Sequence, residues 1–439
     1  MPLTKLEQRI VAEIGRRQND LVALVADLVR FDTTARAPGD APRAERPLQE
    51  YLAGRLGRLG AETDLWEPAP ADVQGSRLVP PDGLGFEGRP QLAATFRGAG
   101  GGRSLLLNGH VDVVSSAPRE AWTSDPNEAE VRDGKLYGRG TCDMKGGIGA
   151  MVVAAEVLAE LDVRLAGDLV VCTVTDEEST GAGGLAAVAH GVRADAGIVT
   201  EPSSFDVWTA CRGSLMPTIT VAGRPGHAGV GQRHWREGGA VNAIEKATIV
   251  IDAMRRLGEE WRNRADHRHP HLSPGDIVPC VISGGEWVVS YPASCSIAYH
   301  VAYLPAHADE GGWGTAVEHE IVGWVQRACA ADPWLAENPP VVEWATDVPS
   351  TEIARDDPIV QVMLAAGADV GLPTRTSAMD SWHDGATFTR FGHTPCICFG
   401  PSHLDVAHTT DEYVPVDDLV ACAQAIAVAA VRFCGLAGA

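Results

Sequence analysis

Ser104-Leu105-Leu106-Leu107-Asn108-Gly109-His110-Val111-Asp112 is an apolar run that ends on a histidine, with an aspartate two residues further on. Its first four residues predict a short strand. The same design recurs twice downstream. The valine-rich run Asp168 to Val174 ends in Thr175-Asp176-Glu177-Glu178, and the run Ala194 to Val199 ends in Thr200-Glu201-Pro202. Between the first two runs, Gly146 to Leu158 is apolar on all sides, which predicts a buried helix. Strands separated by helices imply a parallel sheet covered on both faces. The expected fold class is therefore α/β, with a mixed, mostly parallel sheet flanked by helices.

Working outward, Ile10, Ile14, Leu21, Leu24, Val25 and Leu28 recur at helical spacing, so residues 6–30 predict one amphipathic helix. Residues 68–102 are rich in proline and glycine and predict loops around one short strand, Leu92 to Phe96. After residue 210 the pattern changes. Ser214 to Val221 alternates like a half-buried strand, and Val241 to Leu257 is helical. Ile277 to Ile282 and Ser296 to Leu304 are strand-like, and Val317 to Cys329 is helical again. This is a compact α+β unit of ordinary domain size. Sheet-like sequence resumes near Pro395 to Phe399, so the unit reads as an insertion. The expected organisation is a larger domain from 1–209 and 331–439, interrupted by a smaller one at 210–330. A last helix is predicted from Leu419 to Phe433, with Asp417 as its N-cap.

Composition narrows the function. With 36 Lys plus Arg against 58 Asp plus Glu, the formal charge is −22. A surface this acidic repels phosphate backbones, so no nucleic-acid partner is expected. No stretch approaches the roughly 20 apolar residues of a membrane span. The opening Met1-Pro2-Leu3-Thr4-Lys5 lacks the apolar core of a secretory signal, so the expected location is cytoplasmic. The ten cysteines are then expected to be reduced, and none has the spacing of a paired structural zinc site.

The chemistry concentrates at the predicted strand ends. A ligating histidine usually donates its second ring N–H to an orienting carboxylate, and His110 with Asp112 has that pattern. Tyr137 to Gly147 carries glycines on both sides of Asp143, which lets backbone approach closely, and the following helix N-terminus favours negative charge. Consecutive acids such as Glu177 and Glu178 are costly when buried and ionised, and make sense when cations sit among them. With Glu201, and with His408 in Ala407-His408-Thr409-Thr410-Asp411-Glu412-Tyr413-Val414, the set suits divalent cations such as Zn²⁺ or Co²⁺.

The ordered motifs around His110, Asp143, Glu177, Glu201, His227 and His408 resemble the M20 metallopeptidase family, which includes acetylornithine deacetylases, desuccinylases, aminoacylases and carboxypeptidases. The resemblance covers nearly the whole chain. It implies a catalytic domain with an inserted lid or dimerisation domain, and two bound metal ions. His110 and Glu201 would bind one ion, Glu178 and His408 the other, and Asp143 both. Asp112 would sit behind His110 and orient it. Glu177 would be the general base, acting on a water between the ions. His227 would stabilise the oxyanion, reaching across to a partner subunit in a homodimer joined through the lids. The peptide Asp143-Met144 would be cis. The implied function is an N-deacylase acting on a small N-acyl amino acid or amine, of the acetylornithine-deacetylase-like branch. The alternatives are a dipeptidase or carboxypeptidase and, from another class, an inactive small-molecule-binding homologue.

The chain departs from the family in one place. A D-x-R-x-x-P pattern, whose arginine grips a substrate carboxylate, is replaced by His300-Val301-Ala302-Tyr303-Leu304-Pro305. Ala302 stands where the arginine would be. Either the substrate lacks an α-carboxylate there, or His300 or Arg212 substitutes. The tract Asp266-His267-Arg268-His269-Pro270-His271 is expected to be a solvated loop and not a metal site. His307, His319, His383 and His403 receive no assignment.

Overall fold

The computed structural model describes residues 2–35, 43–79 and 84–438. The contacts divide the chain into two compact units. The larger comprises residues 1–210, 352–378 and 383–439, and the smaller comprises 211–351 and 379–382.

The larger unit is built on one long sheet, with a separate three-stranded one formed by Tyr413–Pro415, Lys135–Tyr137 and Glu130–Arg132. The order of the long sheet is Glu62–Trp66, Gln91–Phe96, Leu169–Val174, Leu105–His110, Ala196–Val199, Cys396–Cys398 and Val207–Cys211, with short strands continuing beyond. The four central strands run parallel, and the flanking pairs are antiparallel. Leu105–His110 has the next parallel strand in sequence on one side and the one after that on the other. It is thus a topological switch point, where open α/β sheets form a crevice at the carboxyl ends of their strands. Leu105, Leu106, Leu107, Val171 and Ile198 are all 0% exposed, which is why the runs are apolar without alternation.

The helix Lys145–Glu160 is buried over nearly its whole length and packs on the sheet and on the C-terminal helix Val416–Cys434. Gly147 makes that seat possible: a Cβ there would lie 2.1 Å from the Thr200 carbonyl oxygen. The helix N-terminus is thereby pressed against the strand end that leads to Glu201.

Several local expectations need correction. The first helix is two, Lys5–Arg16 and Gln18–Arg30, broken where Arg17 leaves helical geometry. The C-terminal helix starts at Val416, so Asp417 lies in its first turn and does not cap it. Within 68–102, residues 80–83 lie outside the described residues.

The smaller unit has a four-stranded antiparallel sheet, in the order Asp276–Gly284, Ser294–Tyr303, Gly213–Ala222 and Val341–Val348. The helices Ala243–Asn263 and Thr315–Cys329 bury Met254, Leu257, Ile321 and Val325 in a core with Leu215, Ile297 and Val301. Residues 331–351 belong with this unit because Val341–Val348 pairs with Gly213–Ala222. Its side chains alternate in exposure, but apolar Val341 and Ala345 face outward and Thr346 inward, so the sequence does not mark it as a strand.

Candidate metal centre

His110 closes the central strand Leu105–His110, and its ring is 1% exposed. Its Nε2 lies 3.1 Å from Asp143 Oδ1, 3.8 Å from Glu201 Oε1 and 4.0 Å from Glu177 Oε2. On the other side of Asp143, His408 Nε2 lies 3.4 Å from Asp143 Oδ2 and 3.2 Å from Glu178 Oε1. The Asp143 carboxylate therefore stands between the two imidazoles, one oxygen toward each. His110, Asp143 and Glu178 each offer a ligand atom within 4.8 Å of the other two. The peptide Asp143-Met144 is cis.

Burial raises Glu177 and Glu201 well above the usual carboxylate range, and their acidic neighbours add to it. Burial alone would push His110 down, yet the Asp143 hydrogen bond and the surrounding carboxylates carry it well above an ordinary histidine. His408 is raised to about 10, first by its hydrogen bond to Asp143 and then by Glu178. Four carboxylates converging in a buried place thus hold on to protons or to the two histidines. Cations would relieve the same crowding. Two imidazoles with carboxylate oxygens form a donor set that fits Zn²⁺-like divalent ions.

Asp112 meets His110 mainly through its main chain. His110 Nδ1 faces the Asp112 main-chain carbonyl at 2.9 Å, while the nearest Asp112 carboxylate oxygen is 3.8 Å away. The carboxylate instead accepts the backbone N–H groups of Glu177 and Glu178, at 3.2 and 3.0 Å. Two amide donors outcompete one ring nitrogen for its oxygens, so Asp112 pins the Glu177-Glu178 turn. Burial raises its carboxyl to about 6.

Three supporting residues received no role from the sequence. Glu412 is 0% exposed, accepts the amides of Cys142 and Asp143 at 2.9 and 3.0 Å, and pairs with Arg139. Its neighbour Asp411 turns outward to Thr123, and two adjacent acids give no signal of which one faces in. Asp176 pairs with buried Arg89 at 2.6 Å. Asp384 is buried with neither oxygen hydrogen-bonded, and burial raises its carboxyl to about 8.

The remaining predicted residues lie in the smaller unit. His227 is exposed in a loop, where its Nδ1 accepts the Gly229 amide. Ala302 is 2% exposed in the strand Ser294–Tyr303. Arg212 donates to the main-chain carbonyls of Asp380 and Pro274. His300 shares a hydrogen bond with Ser214, and burial and Arg212 both lower its pKa. The carbonyls engage the Arg212 guanidinium, and the lowered pKa of His300 favours its uncharged form. In the tract at 266–271, His267 alone departs from the expected solvated loop, being 2% exposed among exposed or half-buried neighbours.

Residues 106–432 match the sequence profile of a family described as peptidase family M20/M25/M40. The N-formyl-4-amino-5-aminomethyl-2-methylpyrimidine deformylase of Halalkalibacterium halodurans is 27% identical over 447 residues, covering 98% of each chain. The succinyl-diaminopimelate desuccinylase of Xanthomonas oryzae pv. oryzae is 31% identical over 416 residues, covering 92% of this chain and 96% of that one. Among solved structures, human carnosine dipeptidase 1 superposes with a TM-score of 0.73 at 16% identity, covering 99% of this chain and all of that one. That likeness is one of fold.

Proposed function

The chain belongs to peptidase family M20/M25/M40, and from that premise we propose that it is a metal-dependent hydrolase of the amide bond in a small N-acyl amine. The observation that carries the reading is the Asp143 carboxylate, held between His110 and His408 with Glu177, Glu178 and Glu201 around it. His110 and Glu201 are assigned to one ion, Glu178 and His408 to the other, and Asp143 to both. The ions, Zn²⁺ by donor preference or Co²⁺, supply Lewis acidity and balance the clustered carboxylates when bound. Glu177 takes the proton of the attacking water and passes it to the leaving amine. Asp112 and Glu412 act through the backbone. One holds the turn that carries Glu177 and Glu178, the other the loop that carries Asp143. His227 is assigned to the oxyanion, donated across a homodimer.

Exposed Val281 and Ile282 on the edge strand Asp276–Gly284, with Trp287 and Val288 just beyond it, support that dimer. An unpaired apolar edge is a template for a second copy. The ten free thiols suit a reducing compartment, and the cytoplasm is the proposed location. No described helix is long and apolar enough to cross a membrane.

Substrate class follows from the charge that is missing at residue 302. A buried carboxylate left unpaired is costly. Neither Arg212 nor His300 offers a free cationic fork. The released amine is therefore assigned to compounds without an α-carboxylate. The deformylase relative, whose name specifies an N-formyl aminomethylpyrimidine, supports this choice over the desuccinylase one. The test compares kcat/KM of the metal-loaded protein for N-formyl and N-acetyl heterocyclic amines, N-acyl amino acids, their carboxamides and dipeptides. The uncharged amines should be preferred. A preference for free acids on the order of a hundredfold, about 2.7 kcal/mol, would overturn the assignment. Turnover of dipeptides alone would transfer it to the peptidase alternative.

A further inference from the structure

The smaller unit holds a second group of ligand-type side chains that the reaction does not use. The helix Ala243–Asn263 is followed by a single 3-10 turn, Ala265–His267, and the strand Ser294–Tyr303 by another, Pro305–His307. These turns bring Asp266, His267 and His307 together, each offering an atom within 4.8 Å of the other two. His267 stacks on Trp261 with ring centroids 5.0 Å apart, and its centroid lies 4.0 Å from that of His307. Nδ1 of His267 and both ring nitrogens of His307 are buried without a hydrogen-bond partner. The His307 ring leans on the Asp266 main-chain carbonyl short of hydrogen-bond geometry. Gly275 leaves space beside His267 Nδ1, where a Cβ would come within 3.0 Å.

Buried polar atoms without partners are rare in folded proteins, because each forfeits about 1–3 kcal/mol of solvation. Here three ring nitrogens share that condition. Burial lowers His267 to about 4 and lowers His307 as well, which favours the uncharged imidazole with its lone pair. Uncharged imidazoles beside a carboxylate are donors that borderline divalent cations select. Asp266 already receives Arg264, at 3.1 and 2.7 Å. Carboxylate oxygens have further lone pairs, so Arg264 weakens this ligand without blocking it.

We propose that Asp266, His267 and His307 form a divalent-cation site in the inserted unit, suited to Zn²⁺ or Ni²⁺ and weaker than the strand-end centre. An ion there would tie the end of the long helix to the end of the strand Ser294–Tyr303, and would stabilise the unit by binding only the folded state.

The test is equilibrium dialysis of the full-length protein against rising Zn²⁺, followed by metal analysis and a thermal melt. The wild type should take up about one more ion per chain than His307→Phe, at higher Zn²⁺ than the strand-end centre requires. The melting temperature should rise over the same concentration range in the wild type alone, and His307→Phe should keep its hydrolytic activity. Because His307 is partly buried, exposed Asp266→Asn provides a second variant. Its affinity for the extra ion should fall by about tenfold or more. Equal ion counts in the wild type and a folded His307→Phe would overturn the site, as would an extra ion bound equally well by Asp266→Asn. Neither readout depends on which amide the enzyme cleaves.

Discussion

Two histidine–carboxylate clusters occur among the described residues, and they are built on opposite electrostatic terms. At the strand ends of the larger unit, His110 and His408 face Asp143, Glu178 and Glu201, and that anionic company raises both imidazoles. In the smaller unit, His267 and His307 face each other and Trp261, their one carboxylate is shared with Arg264, and both imidazoles are lowered. Burial pushes the imidazoles of both clusters down, and only at the strand ends do enough carboxylates face them to reverse the direction. A cluster with surplus negative charge has a strong reason to bind cations. A neutral cluster holds donors with only a weak electrostatic pull.

The hardest test of that contrast is at Glu177. If it is the base and not a ligand, Glu177→Gln should leave metal content nearly unchanged while kcat falls by about 10²–10⁴-fold. Loss of metal in Glu177→Gln, with metal kept in Glu178→Gln, would exchange the two roles and redraw the larger cluster.

A smaller effect should come from His383, a buried imidazole of the larger unit that burial lowers from 6.5 to about 4. The unfolded chain binds this proton first. Its contribution is therefore present above pH 6.5 and is lost as pH falls through the window down to about 4. The full difference is on the order of 3 kcal/mol. Denaturant melts from pH 7 to pH 4 should show a shallower decline in His383→Asn than in the wild type. Equal slopes would mean that burial alone does not govern this histidine.

The smallest effect concerns the two sheets. The larger unit's central strands are covered, whereas Val281 stands 61% exposed on the edge of the smaller sheet. Val281→Lys should weaken the proposed dimer by about 1–3 kcal/mol without altering the fold, as loss of a buried apolar side chain implies. Light scattering across a dilution series checks it. A wild-type monomer at all concentrations would remove the dimer and leave the exposed edge unexplained.

The sequence by itself carried the larger fold and placed His110, Glu177, Glu178 and Glu201 just past predicted strands. Uninterrupted apolar strands such as Leu105 to Leu107, alternating with buried helices, admit few arrangements. Side chains placed just past such strands converge wherever a parallel sheet forms. It also exposed Ala302, because a missing arginine is visible as a letter. The tertiary structure alone decided which atom of Asp112 meets His110, since a carboxylate and a carbonyl on the same residue look identical in sequence. It chose Glu412 over Asp411 as the inward acid. It assigned Val341–Val348 to the smaller sheet by a pairing with a strand more than a hundred residues earlier. It also buried His267 within a tract whose composition reads as solvent-facing. In each case the deciding quantity was a contact between residues distant in the chain. Burial, hydrogen bonding and charge are set by those contacts, and local pattern does not encode them.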